Sequence, residues 1–261
     1  MLLLLAGGGG AWWWLSSDRG GPETLPTPPE PPRLSDAPEY ERCLDMIEDD
    51  PIGARRFAES WGMEGGGESA EHCSALASLS LGEAERAAGA LERIAARSQA
   101  GLGARAAVFG QAGEAWTAAG KPERAYAALT LALALVPTDP ALLTERGVAL
   151  LALDRPADAF DDLDLAVAAD GSSAEAWVLH ASALRRLDRI APAAESVARA
   201  LRLEPDNAEA LLERGIIRQI QGNGTGARAD WERVIEIAPN GSAADLAAQN
   251  MALMEAGPAR H

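Results

Sequence analysis

Ala125, Ala159, Ala193 and Ala227 stand 34 residues apart without a slip. Seven residues after each comes Ala132, Ala166, Ala200 or Val234, and five further on Pro137, Gly171, Pro205 or Pro239. A constant period of this length, with small residues at fixed offsets, marks stacked helical repeats, in which each unit buries its apolar face only against its neighbours. A chain under that constraint folds as a row of helix pairs. Such a row is a binding surface far more often than a catalyst.

Composition agrees. The chain is rich in Ala, Leu, Arg and Glu, all strong helix formers. Aromatic residues make up only 5% of the chain, so small side chains must fill much of the core and helices must approach closely. The net charge of −16 sets the chain against phosphate backbones and anionic lipid, so nucleic acid is excluded as a partner. The charge serves solubility, with a basic partner as the sharper reading.

The regular region divides into residues 106–139, 140–173, 174–207 and 208–241. Each block reads as helix A, a turn and helix B. The turns fall at Gly120-Lys121-Pro122, Asp154-Arg155-Pro156, Asp188-Arg189-Ile190 and Gly222-Asn223-Gly224. Gly and Asp tolerate the left-handed backbone that ends a helix, and Pro suits the first turn of the next. The eighth residue of each block is Gly113, Gly147, Ala181 or Gly215, where a side chain would strike the facing helix. Leu129, Leu163, Val197 and Trp231 fill the gap beside the alanines, and Trp177 and Leu211 are expected to wedge between the helices.

With small residues at positions 8, 20 and 27, an apolar residue at 24 and proline at 32, the chain resembles the tetratricopeptide-repeat (TPR) family. The resemblance implies an all-α, right-handed superhelical solenoid of antiparallel helix pairs. Residues 68–101 fit the same register, with Gly82 at the turn, Ala87 at position 20 and Leu91 at 24. Together with the insertion Leu102–Arg105 they form a TPR-like unit over 68–105. Residues 38–67 read as a degenerate hairpin broken at Asp50-Pro51. Residues 242–261 supply a capping helix and tail, with Leu246, Met251, Leu253 and Met254 as its apolar side.

Two positions change together. Arg146 and Arg214 stand at position 7 of their blocks, and Asp162 and Asp230 at position 23. Where position 7 is Ala112 or His180, position 23 is Ala128 or Ser196. Each Arg–Asp pair is therefore expected to tie helix A to helix B as a structural ion pair.

The family resemblance also implies a concave groove lined by helix A positions 2, 5, 9, 12 and 13. Transferred by register, it includes Thr144, Val148, Leu151, Val178, Ser182, Arg185, Arg186, Leu212, Ile216 and Gln219. Its floor is apolar, with a basic spot at Arg185 and Arg186, which suits an extended or helical protein segment. Chaperone-binding members grip a terminal carboxylate with Lys and Asn at positions 5 and 9. Here those positions are Gly110, Glu114, Thr144, Val148, Val178, Ser182, Leu212 and Ile216, so the carboxylate clamp is absent.

Residues 1–17 are signal-like or a membrane anchor: Leu2 to Leu15 is mostly apolar, too short for a comfortable span, and lacks a basic start. Trp12, Trp13 and Trp14 suit a membrane–water boundary. Residues 18–37 form a proline-rich linker. Cys43 and Cys73 have no metal or redox spacing. They are either two buried thiols or one disulfide in an oxidising compartment, and the register puts them on neighbouring A helices. The leader, the cysteine hairpin and the terminal Arg228-Ala229-Asp230-Trp231 stretch are similar to small exported TPR proteins of alphaproteobacteria. That similarity implies a periplasmic protein, free or anchored and facing the periplasm, with a cytoplasmic location as the alternative.

No catalytic, metal or cofactor constellation emerges. His72, His180 and His261 lack metal-ligand spacing, and His180 reads as a satisfied core histidine. The acidic run Asp158, Asp161, Asp162, Asp164 lies within a helix, where a solvated face explains it better than calcium. The expected function is a non-catalytic scaffold or adaptor of the bacterial cell envelope that binds a protein or peptide segment in its groove. The alternative is an accessory subunit of an envelope enzyme or secretion complex.

Overall fold

The computed structural model describes residues 34–256, so the leader and most of the proline-rich linker lie outside the described residues, as does the extreme carboxy terminus. The described residues hold thirteen α-helices and no strand. They are α1 (Pro38–Asp49), α2 (Pro51–Trp61), α3 (Gly67–Ser80), α4 (Ala84–Arg97), α5 (Leu102–Ala118), α6 (Pro122–Leu135), α7 (Pro140–Ala152), α8 (Pro156–Ala169), α9 (Ala174–Arg186), α10 (Ile190–Leu203), α11 (Ala208–Ile220), α12 (Gly224–Ile237) and α13 (Ser242–Ala256). Each helix packs on the next in sequence. The A helices α5, α7, α9 and α11 also touch one another in series. That series of contacts puts A helices on the inside of the curve and B helices on the outside.

The small residues explain how closely the pairs approach. A Cβ on Gly113 would lie 2.5 Å from Leu129 Cγ, and one on Gly147 would lie 2.8 Å from Leu163 Cγ. One on Gly215 would run into the Trp231 indole. Position 24 itself therefore covers position 8, while Ala125, Ala159, Ala193 and Ala227 are fully buried beside it. The turns use left-handed backbone: Gly120 has φ +67°, and Asp154 and Asp188 adopt φ +55° and +59° without being glycine. Pro122, Pro140 and Pro156 open helices where their missing N–H has no partner to lose.

Three local expectations are corrected. Residues 102–105 are the first turn of α5, which runs 17 residues against 13 in α7, α9 and α11. Buried Ala104 and Ala106 anchor that turn, and Arg105 Nε donates to Ala95 O at 3.1 Å. Trp177 is half-buried where Leu143 and Leu211 are buried, because an indole is too large for the slot a leucine fills; its N–H donates to Gly171 O at 3.0 Å. In α13 the buried side is Ala243, Ala244 and Ala247, assisted by Met251 and Met254, whereas Leu246 and Leu253 remain exposed.

At the amino end, Cys43 on α1 and Cys73 on α3 form a disulfide, with Cα atoms 6.2 Å apart. Beside it lies a buried polar chain. Gln111 Oε1 accepts from His72 Nε2 at 2.6 Å, which leaves His72 Nδ1 to accept from the Tyr40 hydroxyl at 2.7 Å. Burial holds the His72 pKa below its ordinary value, although Gln111 opposes the shift. The first hairpin is thus tied to α3 both covalently and through Tyr40, and His72 carries the chain on to Gln111 of α5.

Candidate interaction surface

The concave face follows from the register of the A helices. Thr144, Glu145 and Val148 of α7, Asp170 just past α8, Ser173 capping α9, and Glu175 and Ala176 of α9 line a recess of about 210 Å³. Thr144 is buried and its hydroxyl donates to Pro140 O at 2.7 Å, while Val148 is half-buried and forms the accessible apolar floor. Val178, Ser182 and Ile216 are half-buried, Leu212 is buried and Gln219 is exposed. Of the ten residues chosen by register, Thr144 and Val148 share this recess, and Leu212 belongs to the core that α11 forms with α12 and α13.

The basic spot does not exist as a free charge. Arg185 donates through Nε to Glu213 Oε1 at 2.6 Å and through Nη2 to Glu213 Oε2 at 3.3 Å. Arg186 donates to Leu151 O at 2.6 Å and to Asp154 Oδ1 at 2.5 Å. Both arginines bridge neighbouring helix pairs, and their partners take up the charge that the sequence offered to a ligand.

What dominates the recess instead is acid. Glu145 Oε2 is buried, no donor satisfies it among the described residues, and its polar neighbour is another carboxyl group, that of Glu114. Burial first, then the carboxylate of Glu114 on α5, with Asp139 and Glu175 adding to it, pushes the Glu145 pKa up to about 8. Near neutral pH Glu145 therefore keeps its proton. The signal was available: position 6 of a block reaches back to the preceding A helix. Gln111 meets His72, Glu145 faces Glu114, and Glu213 meets Arg185.

At positions 7 and 23, Arg146 Nε and Nη2 donate to the two Asp162 oxygens at 2.7 and 2.8 Å. Arg214 Nε and Nη2 donate to Asp230 at 3.0 and 2.6 Å, and Arg218 adds a third bond at 2.6 Å. Asp162 and Asp230 are buried, so the acidic run in α8 is not wholly a solvated face. His180 and Ser196 occupy the same two positions, with Nδ1 and Oγ 2.9 Å apart.

Sequence comparison decides the family: the tetratricopeptide-repeat model matches residues 117–174 and 178–243. This is a tetratricopeptide-repeat protein. No curated protein sequence matches the chain. Among solved structures, this TPR protein is similar to MamA of Desulfovibrio magneticus RS-1, with 20% identity over 67% of this chain and 97% of that one and a TM-score of 0.57. It is similar to YrrB, described as a TPR protein with an unusual peptide-binding site, with 20% identity over 82% of this chain and 98% of that one and a TM-score of 0.52. It is also similar to the Cut9–Hcn1 hetero-tetramer of the APC/C, with 19% identity and a TM-score of 0.61 over 81% of this chain, which spans only 45% of that one. At these identities the likeness is one of fold.

Proposed function

We propose that this TPR protein is a non-catalytic interaction scaffold whose concave face holds a segment of a protein partner. The observation that carries the reading is the recess around Val148 and Glu145, an apolar floor beside a carboxyl group whose Oε2 is buried and whose polar neighbour is a second carboxyl group, that of Glu114. An apolar side chain fits over Val148. A Lys or Arg side chain next to it completes the bonding of Glu145 and takes the place of its proton, with Glu114 as a second anion. The peptide-binding site named for YrrB supports the same use of the fold.

The place of action is the bacterial cell envelope, facing the periplasm. The Cys43–Cys73 disulfide supports it, because such bonds persist in oxidising compartments. The apolar leader, which lies outside the described residues, supports export or anchoring. An accessory role in an envelope enzyme or secretion complex is the same binding activity with the chemistry in the partner.

A photo-crosslinking residue at Val148 tests the reading in cells of the source organism, with one at exposed Leu131 on the outer face as control. The expected result is an adduct specific to Val148 that disappears on Glu145→Arg. No adduct at Val148, or one indifferent to Glu145→Arg, overturns the concave site. Fractionation with a free-thiol count tests the location; a cytosolic protein with two free thiols overturns it.

A further inference from the structure

The second site lies on the outer face and stands apart from the groove. In the block before it, the chain fills the space between successive B helices with its own guanidinium. Arg146 reaches Asp162 on α8, and its Nη1 reaches Thr130 Oγ1 on α6 at 3.5 Å. In the block after it, Arg214 reaches Asp230 on α12. At the station between them, position 7 is the shorter His180, and an open pocket of about 560 Å³ remains between α8, α9 and α10.

The polarity of this pocket follows from hydrogen bonds. Ser196 Oγ donates its one proton to Pro192 O at 3.1 Å, so it can only accept from His180 Nδ1. Burial, outweighing Asp164, lowers the His180 pKa and keeps the ring neutral. His180 Nε2 therefore presents a lone pair. His180 is only 7% exposed, and this atom has no hydrogen bond among the described residues. The nearest charged group, Asp164 Oδ1 at 3.6 Å, is another acceptor. Asp164 holds the place in its block that Thr130 holds in the one before. With Nδ1–H given to Ser196, Nε2 and Asp164 Oδ1 are two acceptors 3.6 Å apart, and a donor from outside meets both.

The walls narrow the class. Phe160 and Trp177 flank His180, with ring centroids 5.2 and 5.8 Å away. Arg189 and Arg199 already rest over Phe160 and Trp177, at 4.8 and 6.0 Å, which shows that these rings accept planar cations. With Arg202 they give the lining three positive charges against Asp164 and Glu195. A bare cation gains nothing from that balance, so its carrier needs an anion near it.

We propose that the pocket formed by Phe160, Asp164, Trp177 and His180 binds an external guanidinium carried close to a carboxylate, as in L-arginine or a carboxy-terminal arginine. The guanidinium takes the station that Arg146 and Arg214 take in the flanking repeats, and the carboxylate meets Arg199 and Arg202.

Titration calorimetry of the full chain tests this with three probes: L-arginine, agmatine, which keeps the guanidinium and lacks the carboxylate, and a short peptide ending in arginine. Saturable binding of L-arginine or of the peptide is expected, with agmatine about tenfold weaker for its lost charge-assisted contact. Which of the two binds more tightly separates a free small molecule from a protein terminus. Asp164→Asn is expected to weaken binding about tenfold. The double change His180→Arg with Ser196→Asp, which rebuilds the pair of the flanking repeats, should abolish binding and leave helicity intact. If that double variant unfolds, Asp164→Asn alone decides. Absence of saturable binding at millimolar concentration, agmatine binding as well as L-arginine, or unchanged binding in Asp164→Asn overturns the proposal.

Discussion

Arg146 and Asp162, sixteen residues apart, meet through two parallel hydrogen bonds of 2.7 and 2.8 Å that tie the two helices of one repeat together. The aspartate is buried and the arginine half-buried, so the pair is more than a surface contact. Breaking it by Arg146→Ala strands a buried carboxylate and is expected to cost about 2–4 kcal/mol. Arg146→Ala with Asp162→Ala recreates Ala112 and Ala128 of the preceding block and should cost less than either single change. A double-mutant cycle by urea unfolding measures this, and additive losses would exclude coupling.

Glu145 is expected to make stability fall with rising pH. Folding raises its pKa from 4.5 to about 8, so the folded chain retains a proton that the unfolded chain releases. The resulting stabilisation is fully present below the unfolded value and is lost as pH rises towards the folded one. Glu145→Gln, which mimics the protonated form, should be about 1–3 kcal/mol more stable than the parent near pH 9 and equal to it near pH 4. Thermal melts across that range give the answer.

The repeat period made the fold readable, because each constraint recurs: Gly113, Gly147 and Gly215 are each explained by the same collision with position 24. It also placed Arg146 in register with Asp162. The groove was less readable. Arg185 and Arg186 look like free basic residues until the three-dimensional path brings Glu213 and Asp154 to them from 28 and 32 residues away. Glu145 acquires its character from burial and from Glu114, and neither is local in sequence. Asp188 shows the opposite case, since its left-handed turn was evident from spacing alone.

That turn gives a stabilising change. Asp188 holds φ +59°, a conformation that costs an L side chain about 1 kcal/mol. Asp188→Gly should therefore raise stability by about 0.5–1 kcal/mol. A rise in the urea midpoint with unchanged slope is the expected observation.

Reduction should act on the amino-terminal hairpin. The Cys43–Cys73 bond joins residues with a sequence separation of 30, for which restriction of the unfolded chain is worth about 3.6 kcal/mol. Reductant should lower the unfolding midpoint, and hydrogen exchange should quicken first in α1 and α2. Protection unchanged on reduction would assign the stability of this hairpin to the Tyr40–His72–Gln111 chain instead.

The central claim is that the inner face recognises a segment carrying a basic residue beside an apolar one. Peptide-display selection against the whole chain tests it most directly, with the Glu114→Gln, Glu145→Gln double variant as counter-selection. The account expects enrichment of Lys or Arg at one fixed position next to an apolar residue, with binding lost in the double variant. Selected segments without a basic residue, or binding that persists in the double variant, would contradict it.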